Sequence, residues 1–100
     1  KVKILRYENG GKYKWHTDCG SRETSLRKLT AIIQLSDETK YEGGNLEFGI
    51  TDKSGKNNYT APRTRGSITI FPAFLSHRVT PVTKGRRFSL ITWMLGDCFV

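Results

Sequence analysis

Apolar and polar residues alternate along much of this chain with a period of two. Leu29, Ala31, Ile33 and Leu35 form one such run, and Leu46, Phe48 and Ile50 form another. That period places successive side chains on opposite faces of a strand, so both runs predict half-buried β-structure. Turn residues interrupt the pattern at Asn9-Gly10-Gly11, across 37–44 and 52–55, at Pro62, at Pro72 and at Lys84-Gly85. Between these breaks the sequence predicts strands near 2–7, 13–18, 28–36, 45–50, 57–61, 67–71, 77–82 and 86–95. Helix signals are nearly absent. About eight short strands joined by turns point to an all-β, double-sheet jelly roll. The polar stretches 19–26 and 51–66 read either as plain surface loops or as lids that contact a substrate.

The chain has two histidines, His16 and His77. His16 and Asp18 are two apart, so an extended strand projects both to one side. In this reading they close the second strand, while His77 opens the seventh and Arg87 the eighth. Two imidazoles and one carboxylate on one face of a metal leave positions open, the arrangement that suits a non-haem Fe(II) oxygenase. His-x-Asp also arises by chance, and spacing alone leaves two unrelated surface histidines as the alternative. Arg87 and Ser89 again share a strand face. A guanidinium fork beside a hydroxyl suits a bidentate hold on a carboxylate. A ligand with a chelating end and a distal carboxylate, such as 2-oxoglutarate, would bridge the two features.

Several blocks then carry a resemblance: Tyr7 to Asp18, Tyr41-Glu42-Gly43-Gly44-Asn45-Leu46-Glu47-Phe48, Gly66 to Pro72, and His77 with Pro81 to Gly85 and Arg87. Together they resemble the 2-oxoglutarate/Fe(II) oxygenases of the prolyl-4-hydroxylase type, over almost the whole chain and in the family's order. The resemblance implies a double-stranded β-helix, cupin-like, with Fe(II) on His16, Asp18 and His77. It also implies 2-oxoglutarate as cosubstrate with its distal carboxylate on Arg87, beside Tyr7, and O2 as oxidant; Ser89, from its shared face with Arg87, reads as a further cosubstrate contact or as a small inward residue. Trp93 matches an aromatic residue that lines the site in related hydroxylases, and Tyr13 joins it as a residue that packs or faces substrate. Gln34 stands where some members carry a tyrosine that shares the distal carboxylate, and it is left out of the expected site. The implied reaction is hydroxylation of a C–H bond coupled to decarboxylation of 2-oxoglutarate to succinate, with a peptidyl or protein proline as the first substrate class.

Residues 1–100 read as a single catalytic core, a segment of a longer chain: the first residue is Lys1, the one methionine is Met94, and the family usually has helices ahead of this core. The net charge of +8 keeps nucleic acid open as a partner. However, Trp93 occupies the place, six residues after Arg87, where the nucleobase-demethylating branch typically has a second arginine. A free amino acid, a small metabolite or a methylated nucleobase are the other substrate classes, and a non-enzymic cupin-like metal-binding module is the third reading. No apolar run reaches the length of about 20 residues that spans a membrane. Cys19 and Cys98, far apart in sequence, read as thiols in a reducing, cytoplasmic setting, with Cys19 as a small buried residue or an oxidation target beside the metal.

Overall fold

The computed structural model describes residues 2–19, 26–51 and 57–96. Among the described residues nine strands run in chain order as β1 (Val2–Glu8), β2 (Tyr13–His16), β3 (Arg27–Gln34), β4 (Tyr41–Gly43), β5 (Leu46–Thr51), β6 (Asn57–Thr60), β7 (Ile68–Pro72), β8 (His77–Val79) and β9 (Val82–Leu95). A 3-10 turn at Glu38–Lys40 precedes β4, capped by the Asp37 side chain accepting from the Thr39 N–H. The larger sheet has the order β1-β9-β3-β7, with β4 pairing β9 beside that path; the smaller has the order β2-β8-β5-β6. Every strand pairing among the described residues is antiparallel. This is the expected all-β jelly roll, with its functional side chains between two facing sheets.

The strand layout departs from the expectation around β4 and β9. The turn predicted at Lys84-Gly85 is absent, and β9 runs through it for 14 residues. Gly85 takes φ +73, which lets the backbone pass close under the Lys40 carbonyl and pair Tyr41 without breaking the strand. The short β4 was missed altogether, because Tyr41–Gly43 lies inside a stretch that reads as turn chemistry. Arg63 holds it: its guanidinium donates to the Gly43 and Tyr41 carbonyl oxygens and lies 4.3 Å from the Tyr41 ring centroid.

The alternation in β3 located the strand, but its apolar face points outward. Thr30, Ile32 and Gln34 are the buried residues, at 0%, 5% and 6% exposure. The inward face is polar in part because it borders a functional cavity. The apolar core sits toward β5, β6 and β7, where Phe48 meets Phe71 edge-on with ring centroids 4.8 Å apart and Leu46 and Ala61 fill in around them. Meanwhile Val2, Ile4, Ile68 and Ile70 on the outer face of the larger sheet are all more than half exposed. Large contiguous apolar faces of this kind drive association. The 100-residue chain alone is therefore expected to self-associate, and charged substitutions at Ile4 and Ile68 should restore a monomer in sedimentation or light-scattering measurements. A monomeric wild-type chain would contradict this.

Candidate active site

His16 ends β2 and His77 opens β8, and the two are direct cross-strand partners. A bulge between Tyr13 and His16 shifts the register by one residue. Plain alternation would send Tyr13 and His16 to opposite faces; the bulge puts both inward, and their rings stack at 3.8 Å. Asp18 does not extend the strand as the spacing suggested. The strand stops at His16, and the backbone N–H groups of Asp18 and Cys19 both donate to the Ala73 carbonyl, at 2.8 and 3.1 Å. That pair of bonds turns the Asp18 carboxylate back under the two imidazoles.

The three donor atoms lie within 4.8 Å of one another. Asp18 Oδ1 is 3.4 Å from His16 Nε2 and 3.5 Å from His77 Nε2. Adjacent ligands on an octahedral ion with bonds of about 2.1 Å sit about 3 Å apart, so a small contraction converts this cluster into three neighbouring ligands. Each imidazole Nδ1 donates to the carbonyl two residues earlier: His16 to Lys14 at 2.6 Å, His77 to Leu75 at 2.9 Å. A carbonyl can only accept, so both rings carry their proton on Nδ1 and direct the Nε2 lone pair at the common centre. The other carboxylate oxygen, Asp18 Oδ2, accepts from Thr30 Oγ1 at 2.7 Å and faces the Trp93 indole N–H at 3.4 Å. Burial alone would raise the Asp18 carboxyl, but the neighbouring His16 and His77 rings and the Thr30 hydroxyl outweigh it and hold the group far below the usual carboxylate range. Burial pulls His16 down, yet its bonds to Asp18 and Lys14 leave it raised above the ordinary imidazole value. The donor set fits a divalent transition metal.

Arg87 lies on the neighbouring inner face of β9 and is 1% exposed. Its Nη2 donates to Gln34 Oε1 at 2.6 Å, and Gln34 Nε2 in turn donates to the Tyr41 hydroxyl at 2.9 Å. Ser89 Oγ stands 3.5 Å from Nη1, too far to be a strong bond. Arg87 Nε has no hydrogen-bond partner, and burial lowers the Arg87 pKa. The Tyr7 ring lies 5.3 Å from the guanidinium, and burial raises the Tyr7 pKa, with Arg87 acting in the opposite sense. A buried cation with an orphaned donor fits an incoming carboxylate. Gly44 makes room for it: a Cβ there would come within 3.1 Å of Arg87 Cδ.

One cavity of about 130 Å3 connects the two features. His16, Asp18 and His77 line it, as do Arg87, Ser89, Tyr7, Tyr13 and Trp93, so every residue expected in the site borders the same space. Sequence reasoning missed Thr30, and set aside Gln34, which proves to be the direct partner of Arg87. It also missed Arg27, whose guanidinium lies 3.8 Å from the Trp93 ring centroid. A second bulge, between Arg27 and Leu29, brings Arg27 round to the cavity. Only the polar gaps at Thr30 and Gln34 in an otherwise apolar strand could have signalled this.

The sequence matches the 2OG-Fe(II) oxygenase superfamily over residues 2–95. The chain belongs to that superfamily. Among curated relatives it is 34% identical over 94 residues to a PKHD-type hydroxylase of Idiomarina loihiensis, with 94% of this chain and 41% of that protein covered. It is 36% identical over 93 residues to a PKHD-type hydroxylase of Shewanella oneidensis, covering 89% of this chain and 40% of that one. The chain thus spans about two-fifths of the length of these relatives. A prolyl-4-hydroxylase of Pseudomonas putida shares the fold with a TM-score of 0.77 at 23% identity, covering 96% of this chain and 52% of the other. A prolyl hydroxylase of Trichoplax adhaerens, solved with a hypoxia inducible factor oxygen degradation domain peptide fragment, gives 0.76 at 17% identity, covering 97% and 43%. The cofactors of the 2OG-Fe(II) superfamily, Fe(II), 2-oxoglutarate and O2, match the donor set and the buried arginine described above.

Cys19 corrects an expectation. It is disulfide-bonded, not a reduced thiol, and Cys98 lies outside the described residues. Distance along the sequence says little about pairing in a fold whose neighbouring strands are remote in the chain, and a disulfide removes the ground for inferring a reducing compartment. No helix among the described residues is long and apolar enough to cross a membrane. Of the lid candidates 19–26 and 51–66, residues 20–25 and 52–56 lie outside the described residues; the rest of the second stretch includes β6.

Thr30 gives a direct test of how Asp18 is held. Thr30→Val keeps the side-chain volume and removes the hydroxyl that binds Oδ2. Metal affinity should fall by about 10- to 100-fold, as for other partners that orient a ligand. Calorimetric titration with Mn(II) checks this, and an unchanged affinity would rule out the orienting role.

Proposed function

We propose that this chain is the catalytic core of a 2-oxoglutarate- and Fe(II)-dependent dioxygenase that hydroxylates a C–H bond, with a peptidyl or protein proline as the favoured substrate. The observation that carries the reading is a single cavity with a two-histidine, one-carboxylate cluster and a buried, incompletely bonded arginine on its walls. The hydroxylase names of the relatives, and the peptide bound in a structural neighbour, support the substrate class.

In this reading His16, His77 and Asp18 Oδ1 hold the metal, and Arg87 holds the far carboxylate of the cosubstrate with Ser89 and Tyr7 beside it. Bound Fe(II) supplies the oxygen activation that oxidises 2-oxoglutarate to succinate and CO2 and inserts a hydroxyl into the substrate. The protein's own part is positional. Fixed tautomers keep both imidazoles neutral toward the metal, and Thr30 and Trp93 occupy Oδ2 so that Oδ1 remains for binding. Leu5, Ile32, Leu46, Val79 and Ile91 supply apolar wall between the metal cluster and Arg87, which limits water and strengthens the grip on charge.

Succinate formation by the anaerobically Fe(II)-loaded protein, on addition of O2 and 2-oxoglutarate, tests the proposal. Stimulation by proline-containing peptides supports it in full. Stimulation only by amino acids, small metabolites or methylated nucleobases would keep the reaction and replace the substrate. Failure to bind 2-oxoglutarate with metal present would overturn the reading and favour a metal-binding module.

A further inference from the structure

We infer that a basic, aromatic groove next to the candidate active site receives an acidic stretch of the substrate polypeptide. The inference rests on the hydroxylase reading and names the partner chemistry for that same site. The groove runs over β2 and β8, encloses about 460 Å3, and is lined by Lys12, Tyr13, Lys14, Trp15 and Arg78 among others. Tyr13 and Val79 line both this groove and the metal cavity, so the two spaces share a wall. A chain that presents one residue to the metal cluster passes the Tyr13 ring and continues along β2.

The charges on that path are positive. Lys12 and Lys14 are exposed, and neither has an ion-pair partner among the described residues. Arg78 is different. It is paired with Glu47 at 2.6 Å and lies 4.7 Å from the Trp15 ring centroid, so it holds the indole in place and adds little net charge. Lys3 lines the metal cavity itself and extends the positive character past the metal cluster.

One observation favours an extended polypeptide over single-stranded nucleic acid. Among the described residues β2 is the terminal strand of its sheet, so its outer edge offers backbone donors and acceptors to a chain running alongside. Tyr13 and Trp15 each keep one ring face clear of His16 and Arg78, so base stacking is the competing mode that the oligothymidylate probe reads.

Fluorescence anisotropy on the full-length protein, without metal, tests the assignment. The probes are short fluorescein-labelled peptides with one proline flanked by a run of glutamates, glutamines or lysines, together with labelled oligothymidylate. The glutamate peptide should bind roughly tenfold more tightly than the glutamine peptide at low salt, a gap that closes as salt rises. The Lys12→Glu, Lys14→Glu double variant should lose roughly tenfold in affinity for the glutamate peptide and none for the glutamine peptide. Both lysines are exposed, and the His16 tautomer is held by the Lys14 carbonyl, not its side chain, so the fold and metal cluster stay intact. Equal binding of the glutamate and glutamine peptides, or an unaffected double variant, would overturn the inference. Tighter binding of oligothymidylate than of the glutamate peptide would overturn it in favour of nucleic acid. Mn(II) and 2-oxoglutarate binding in the same samples reports on the hydroxylase reading separately: failure there sinks that reading whatever the peptides show.

Discussion

Arg87→Met is expected to cost the protein at least about a hundredfold in 2-oxoglutarate affinity, near 3 kcal/mol, while leaving the ligand-free protein as stable as wild type or more so. The two halves of that result have one cause. Arg87 is a buried cation whose Nε is orphaned and whose one short bond goes to the neutral Gln34. Removing a charge from water without a counter-charge is costly, and replacing it by an apolar side chain of similar length relieves that cost. A carboxylate in the cavity supplies the missing partner, so the ligand should stabilise wild type and not the variant. Calorimetry with Mn(II)-loaded protein gives the affinity, and thermal melting with and without 2-oxoglutarate gives the stability. Unaltered affinity in Arg87→Met would remove the clamp from the mechanism. A marked loss of ligand-free stability would instead make Arg87 a structural residue.

His77→Ala should abolish detectable Fe(II) binding and also lower stability by about 2 kcal/mol. The ring is 2% exposed and packs on Phe71, with centroids 4.8 Å apart, so truncation leaves a cavity at the edge of the apolar core. His16→Ala separates the two effects. Its ring is part-exposed and stacks chiefly on Tyr13, so metal binding should be lost with a much smaller change in melting temperature. Anaerobic Fe(II) titration of both variants against their melting curves checks the pair. Retained metal binding in either variant would contradict the three-ligand assignment.

The metal cluster was legible because its chemistry is written in rare residue types. With two histidines in the chain, and one of them two residues from an aspartate, few other ligand sets were available. Arg87 and Ser89 were legible because nothing intervenes to change their shared face on β9. What supports these residues was harder to read. The Leu29, Ala31, Ile33, Leu35 alternation advertises the outer face of β3, and the informative residues, Thr30 and Gln34, sit in the gaps between them. Periodicity marks which positions differ from their neighbours; it does not say which face meets the interior. Tyr13 and Arg27 reach the cavity only through β-bulges, and a one-residue bulge reverses every facing inferred by counting from the far side of it. β4 escaped notice because three residues held by Arg63 need no propensity of their own.

The two kinds of support around the metal cluster also differ in how they tolerate genetic change. Both imidazoles are steered by peptide carbonyls, at Lys14 and Leu75, and a carbonyl survives any substitution at its own position. The carboxylate is steered by the side chains of Thr30 and Trp93, which a single codon change can delete. Drift at positions 14 and 75 is therefore largely silent for metal retention, and the histidine arms are insulated against it. Vulnerability concentrates on the aspartate arm, where a chain can keep all three ligands and still lose its grip on the ion.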